Sequence, residues 1–145
     1  MRIYADSSFI VSLYTVDANS VEANRALRAA GVRPWLTTYG ELEIINAMGL
    51  RVFRKEVSEK QLASSLLEFR NDLSKGLLKL HGLTDAIIER AVQLSWQTTM
   101  KVGTRAADVL HVAAAMELGA DYLYTFDHHQ RKLAQALRLK LNSWP

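Results

Sequence analysis

Thr104-Arg-Ala-Ala-Asp-Val-Leu-His-Val-Ala-Ala-Ala-Met-Glu-Leu-Gly-Ala-Asp-Tyr-Leu-Tyr-Thr-Phe-Asp127 decides the fold, because it reads as a helix, a glycine stop and a short buried strand. Val109, Val112, Ala113 and Met116, extending to Ala120, recur at helical spacing, and Thr104 stands where an N-cap belongs. Gly119 occupies the position at which a helix end favours a left-handed residue. Tyr122-Leu-Tyr-Thr-Phe126 is short, aromatic and apolar with Asp on either side, the pattern of an interior strand. Asp108 falls in the first helical turn and Asp127 just past the strand. Ligands of open parallel sheets gather outside the carboxyl ends of the strands. The two carboxylates can therefore converge although they stand 19 positions apart.

Upstream the same alternation repeats. Met1-Arg-Ile-Tyr-Ala5 reads as a first strand ending at Asp6, and Ser7 to Tyr14 as a short helix capped by Asp6 or Ser7. Asn19-Ser-Val-Glu22 has capping-box spacing and predicts a helix to about Ala30, stopped by Gly31. Pro34-Trp-Leu-Thr37 is a second short strand, after which Thr37 or Thr38 opens a helix carrying Glu41, Glu43, Ile44, Ala47 and Leu50. Ser58-Glu-Lys-Gln61 is a further capping-box match, with a helix through about Leu73 and a break at Lys75-Gly76. Leu77-Leu-Lys-Leu-His81 is the third strand, and Thr84-Asp-Ala-Ile-Ile88 begins a long helix through Trp96 that stops near Gly103. Downstream, Asp127-His-His-Gln130 caps a short helix, and Leu137-Arg-Leu-Lys-Leu141 alternates as a last edge strand.

Strands that alternate with helices along the chain imply right-handed βαβ units. The class is α/β, with a mostly parallel, helix-covered sheet of about five strands. No repeat, low-complexity tract or linker interrupts residues 1–145, which read as a single domain.

The composition narrows the chemistry. With no cysteine, disulfide scaffolds, thiolate metal ligands and cysteine catalysis are excluded, and a reducing cytoplasm is the expected compartment. No apolar run approaches a membrane span and no signal peptide is read at the start. The net charge is +3, a weak pointer to a polyanionic partner. If four of the 15 acids gather at one site, the other 11 face 18 Lys and Arg, and the remaining surface carries near +7.

Four acids suit such a site. Asp6 follows strand one, Glu43 lies on the helix after strand two with Asn46 on the same face at i+3, Asp108 opens a helix, and Asp127 follows a later strand. Singly, Asp6 and Asp127 read as helix caps, since Asp is strongly preferred there. Asp108 and Glu43 sit inside helices among apolar neighbours, where an unpaired acid is costly. Gathered carboxylates repel unless a cation neutralises them, and hard oxygen donors suit Mg²⁺ or Mn²⁺. Such an ion activates water and clamps a scissile phosphate.

Asp6-Ser-Ser-Phe-Ile10, Glu43-Ile-Ile-Asn-Ala47, Arg105-Ala-Ala-Asp-Val-Leu-His-Val-Ala-Ala-Ala115 and Tyr124-Thr-Phe-Asp127 together resemble the PIN-domain family, most closely its VapC-type toxin ribonucleases of type II toxin–antitoxin systems. The resemblance covers essentially the whole chain. It implies a three-layer α/β/α sandwich, an acidic pocket for Mg²⁺ or Mn²⁺, endonucleolytic RNA cleavage, a cognate antitoxin protein and a homodimer. Position by position, Asp6 and Asp108 match the family's metal ligands, and Glu43 its helix-borne acid, with Glu41 two residues away. Asp127 matches the acid after the Thr-Phe pair. Ser8 and Thr125 then supply hydroxyls that orient the carboxylates. Arg105 reads equally as a phosphate contact or as a neutralising charge.

Other residues read as structural. His111 falls three residues after Asp108 on the same side of the helix and reads as a packed polar residue rather than a general base. His128 and His129 read as a solvated helix start, and Trp35, Trp96, Leu66, Leu67 and Phe69 as core or interface. An aspartyl-phosphate phosphatase needs a second Asp two residues after Asp6, where Ser8 stands. A phosphoacceptor receiver needs an acidic pair beside the first strand and a Lys after the last, and neither is present. A non-catalytic RNA-binding module that kept the fold is the remaining alternative, along with a nuclease in RNA processing.

Overall fold

The computed structural model describes residues 1–144. Strands β1 (Ile3–Ala5), β2 (Trp35–Thr37), β3 (Lys79–His81), β4 (Tyr122–Tyr124) and β5 (Lys140–Leu141) form one sheet in the order β3-β2-β1-β4-β5. Every neighbouring pair is parallel, with Tyr4 opposite both Trp35 and Leu123. The chain starts in the middle, winds one way through β2 and β3, then returns to the far side of β1 for β4 and β5. Winding reverses between β1 and β4, so the connections leaving them diverge and open a crevice at their carboxyl ends.

The helices α1 (Ser7–Tyr14), α2 (Ser20–Ala30), α3 (Thr38–Phe53), α4 (Glu59–Ser74), α5 (Asp85–Val102), α6 (Ala106–Glu117) and α7 (His128–Ala136) cover both faces. β1 shows the division residue by residue, because successive strand side chains point to opposite faces. Ile3 and Ala5 pack with Phe9, Ile10, Ile44, Met48 and Phe69 of α1, α3 and α4. Tyr4 points the other way, among Ile87, Leu94, Val112 and Leu133 of α5, α6 and α7. The result is the expected α/β/α sandwich. The inner strands β1, β2 and β4 are covered on both faces, which explains their short apolar runs, whereas the edge strands β3 and β5 are largely exposed.

Helix ends follow local chemistry, with two corrections. Ser58 and Gln61 form the reciprocal capping box, and Gly31 and Gly103 end α2 and α5 in the left-handed conformation (φ 63° and 72°). The Asn19 box does not form: Asn19 makes no side-chain cap, its Oδ1 instead accepts the Trp144 indole N–H at 3.2 Å, and Glu22 pairs with Arg25. Thr104 is not the cap of α6 either. Asp108 reaches back to the Arg105 backbone N–H at 3.3 Å, so the helix starts one residue later than read and the Thr104 hydroxyl is buried without a partner. All five strands are shorter than the runs that predicted them. Trp96 and Leu67 lie on the surface, 81% and 63% exposed, whereas Phe69 is fully buried. Among the described residues no helix is long and apolar enough to cross a membrane.

Candidate active site

The crevice between β1 and β4 is built around Asp6. Its backbone N–H bonds the Tyr124 carbonyl at 3.1 Å, extending the β1–β4 ladder by one rung, and its carboxylate caps α1 through Phe9 N–H at 3.0 Å. Ser8 Oγ lies 2.8 and 2.9 Å from the two carboxylate oxygens, and Thr125 Oγ1 lies 2.9 Å from one of them. The two hydroxyls also lie 3.4 Å apart, but the carboxylate oxygens, which only accept, stand closer to both. Ser8 Oγ already accepts from Phe126 N–H and Thr125 Oγ1 from Asp127 N–H, each at 3.0 Å, so both protons point at Asp6. Complete burial pushes the Asp6 carboxyl above its ordinary value; the charge of His111 and the bonds from Phe9, Ser8 and Thr125 pull back without overcoming it.

Asp108 sits at the third position of α6, buried, on the helix layer that packs the opposite face of the sheet from α1. Burial, and next the charge of Asp127, push its carboxyl up. The Arg105 N–H, the Gln130 side chain and His129 oppose that shift. Asp127 caps α7 by accepting Gln130 N–H at 2.9 Å, so its capping role is real. Its charge reaches Asp108 all the same.

Glu43 enters through a buried polar chain. Thr37 Oγ1, the cap of α3, lies 3.3 Å from the Tyr4 hydroxyl, which lies 2.8 Å from His111 Nδ1. His111 Nε2 contacts Glu43 Oε1, and Ser7 Oγ donates to that same oxygen at 3.1 Å. Burial alone would push the His111 imidazole down. The bond it donates to Glu43 and the charges of Asp6, Glu43 and Asp108 outweigh burial and raise it.

The sequence candidates thus divide. Asp6, Ser8 and Thr125 share one hydrogen-bonded cluster, Asp108 and Asp127 share a field, and Glu43 joins through His111. Asn46 and Arg105 are exposed. Among the described residues no three His, Asp or Glu side chains stand close enough to hold one ion. Mg²⁺ needs fewer, since one or two carboxylates suffice when water and substrate phosphate fill the remaining positions. The donor set fits that requirement. Ser8, Thr125 and Phe9 make four contacts to Asp6, two on each oxygen, which hold the carboxylate in one orientation, and burial raises both Asp6 and Asp108. A cleft of about 480 Å³ opens at the start of α1, lined by Ser7, Ser8, Asp127, Arg51 and Arg54 among others. A larger apolar groove of about 810 Å³ runs between α5 and α6 past Tyr39, Val92, Trp96 and Leu110.

Tyr4, Gln130 and Asn142 escaped the sequence reading as site residues, and Thr37 was read only as one of two candidate caps for α3. Tyr4 carried a signal, a hydroxyl in the middle of a buried strand that must find a partner. Gln130 was visible only as the fourth residue of a capping run.

The PIN domain family matches residues 3–136. No curated protein sequence matches the chain significantly. Among solved structures, Mycobacterium tuberculosis VapC20, a sarcin–ricin-loop-cleaving toxin, aligns with a TM-score of 0.72 at 17% identity, covering 97% of this chain and 99% of that one. A toxin–antitoxin complex from Klebsiella pneumoniae aligns with a TM-score of 0.58 at 17% identity, covering 88% and 87%. At this identity both likenesses concern the fold.

Proposed function

The chain belongs to the PIN-domain family, and on that footing we propose that residues 1–145 form one nuclease domain, an endoribonuclease acting as the toxin of a toxin–antitoxin pair. The observation that carries the reading is the pair Asp6 and Asp108. Both are buried at the carboxyl edge of the sheet, where its winding reverses, and both are raised by burial. Two such carboxylates are costly to a fold unless a cation joins them.

Mg²⁺, or Mn²⁺ in its place, is the cation this oxygen set suits, held by Asp6 and Asp108 with Glu43 and Asp127 at the rim. Bound there, it supplies Lewis acidity toward the phosphodiester and a more acidic water. The chain's own groups do the rest. Ser8 and Thr125 aim their protons at Asp6 and so hold its carboxylate in one orientation. His111 and Ser7 hold the Glu43 carboxylate, which is 27% exposed and so in reach of solvent and substrate. Asp127 adds negative charge next to Asp108, strengthening the demand for a cation.

RNA as substrate agrees with the surplus of basic residues outside the site and with the VapC20 fold likeness. The toxin–antitoxin complex among the fold relatives supports an antitoxin partner. Exposed Leu42 and Phe53 on α3, which also bears Glu43, offer that partner apolar anchors along the helix. A homodimer is supported by α5, whose Ile88, Val92, Trp96 and Met100 recur every fourth residue and are 42% to 89% exposed. Work on RNA without any cysteine suits the cytoplasm.

The test is cleavage of single-stranded RNA by purified protein. Cleavage with Mg²⁺ or Mn²⁺, its loss with EDTA and its loss in Asp6→Asn are expected. Cleavage that persists in EDTA contradicts the reading.

A further inference from the structure

We propose that Asn142 is a positioning residue for the active site, acting on Asp6 through Thr125. It lies in the C-terminal segment beyond the 3–136 stretch matched by the family. The argument starts from the sheet edge. The β4–β5 ladder pairs Tyr122 with Lys140 and Leu123 with Leu141, then ends. The next rung is made by a side chain: Asn142 Oδ1 accepts Thr125 N–H at 2.8 Å. Arg131 locks both ends, donating to the Thr125 carbonyl at 3.2 Å, to Asn142 Oδ1 at 3.2 Å and to the Asn142 carbonyl at 3.1 Å.

Thr125 is therefore fixed at its N–H and its carbonyl, and its hydroxyl donates to Asp6 at 2.9 Å. Both Thr125 and Asn142 are buried, 0% and 3% exposed, so water does not replace a lost rung without entering the core. Two N–H donors converge on Asn142 Oδ1, which fixes the orientation of the amide. Its Nδ2 is buried with no partner. This asymmetry identifies the acceptor oxygen as the part of Asn142 that the site uses. A residue that kept the acceptor and lost the amide N–H would forfeit no bond.

The inference rests on the proposed role of Asp6 as a metal-binding carboxylate. Its experiment compares Asn142→Asp, which keeps an acceptor, with Asn142→Leu, which removes it, using Thr125→Val as the second point of the relay. Each is measured for Mn²⁺ affinity by electron paramagnetic resonance, for kcat and KM on RNA, and for thermal midpoint. Asn142→Leu is expected to lose about tenfold in Mn²⁺ affinity and in kcat, the range typical of groups that orient a metal's carboxylates, with KM for RNA little changed. Asn142→Asp restores both. The double variant Thr125→Val/Asn142→Leu loses no more than the worse single variant, because both break one relay.

Wild-type affinity and kcat in a folded Asn142→Leu overturn the relay, as does Asn142→Asp as damaged as Asn142→Leu, or additive losses in the double variant. Where Asn142→Leu is unfolded at the assay temperature, the Asn142→Asp and Thr125→Val arms decide alone. Asn142→Asp must match wild type, and Thr125→Val must lose metal affinity. A wild-type protein that neither binds Mn²⁺ nor cleaves RNA defeats the reading of the site itself and the relay with it, a pattern distinct from failure of the relay alone.

Discussion

The Tyr4 hydroxyl lies 2.8 Å from His111 Nδ1, and both groups are buried, Tyr4 on the central strand and His111 on α6. The pair links the sheet to the helix that carries Asp108 and ends at Glu43. Burial pushes the Tyr4 phenol far above its ordinary value, so it stays protonated through the whole working range. Tyr4→Phe removes the hydroxyl and keeps the ring, leaving His111 Nδ1 without its partner in a dry site. A loss of about 1–3 kcal/mol in urea unfolding is expected from one orphaned buried group. Unchanged stability would show that the chain of polar contacts does not hold these elements together.

A second prediction concerns pH. Asp17 joins the α1–α2 connection to α3, with Arg51 at 3.0 Å and both side chains about one-fifth exposed (21% and 20%). Burial alone would push the Asp17 carboxyl up, but bonds from Asn19 N–H, Ser12, Arg51 and Ser20 hold it below its ordinary value. A depressed acid contributes stability above its unfolded pKa and loses it as pH falls through the folded one. Arg51→Met should therefore cost on the order of 1 kcal/mol near neutrality. The gap from wild type should close as pH drops below about 4, near the unfolded carboxylate value. Thermal midpoints from pH 6 to pH 3 check this, and a gap that widens toward acid contradicts it.

A third prediction concerns assembly. Trp96 is 81% exposed in the middle of the α5 stripe. Trp96→Glu places a charge there without touching the core, so the fold should hold within about 0.5 kcal/mol, as for ordinary surface changes. Light scattering at tens of micromolar should find a wild-type dimer and a Trp96→Glu monomer. A wild-type monomer contradicts the dimer.

How much of this was legible in the sequence depended on range. The order of elements, the class and the family followed from Asp6-Ser-Ser, Glu43-Ile-Ile-Asn, Arg105-Ala-Ala-Asp and Thr125-Phe-Asp, because helix stops and short apolar runs are local signals. The Ser-Ser and Thr-Phe pairs flanking the acids mark Ser8 and Thr125 as candidate supports, and both hydroxyls bond to Asp6. The sequence marks His111 as a packed polar residue, and it is buried between Tyr4 and Glu43. What stayed invisible depends on contacts across the fold. Asn19 has perfect capping-box spacing, yet a distant Trp144 takes its side chain. Asn142 ends an edge strand and carries no motif; only the parallel pairing of β4 with β5 brings it to Thr125. Tyr4 meets His111 across 107 residues, a pairing that no local pattern encodes.

The most direct test of the central claim is Asp108→Asn, which keeps shape and removes one of the two buried charges. Mn²⁺ titration by electron paramagnetic resonance, run beside RNA cleavage, should show tight binding and EDTA-sensitive cleavage in wild type and neither in the variant. The metal-free variant should melt at or above the wild-type temperature, since a costly buried charge is gone. An Asp108→Asn protein that binds Mn²⁺ with wild-type affinity and cleaves RNA at the wild-type rate would contradict the account.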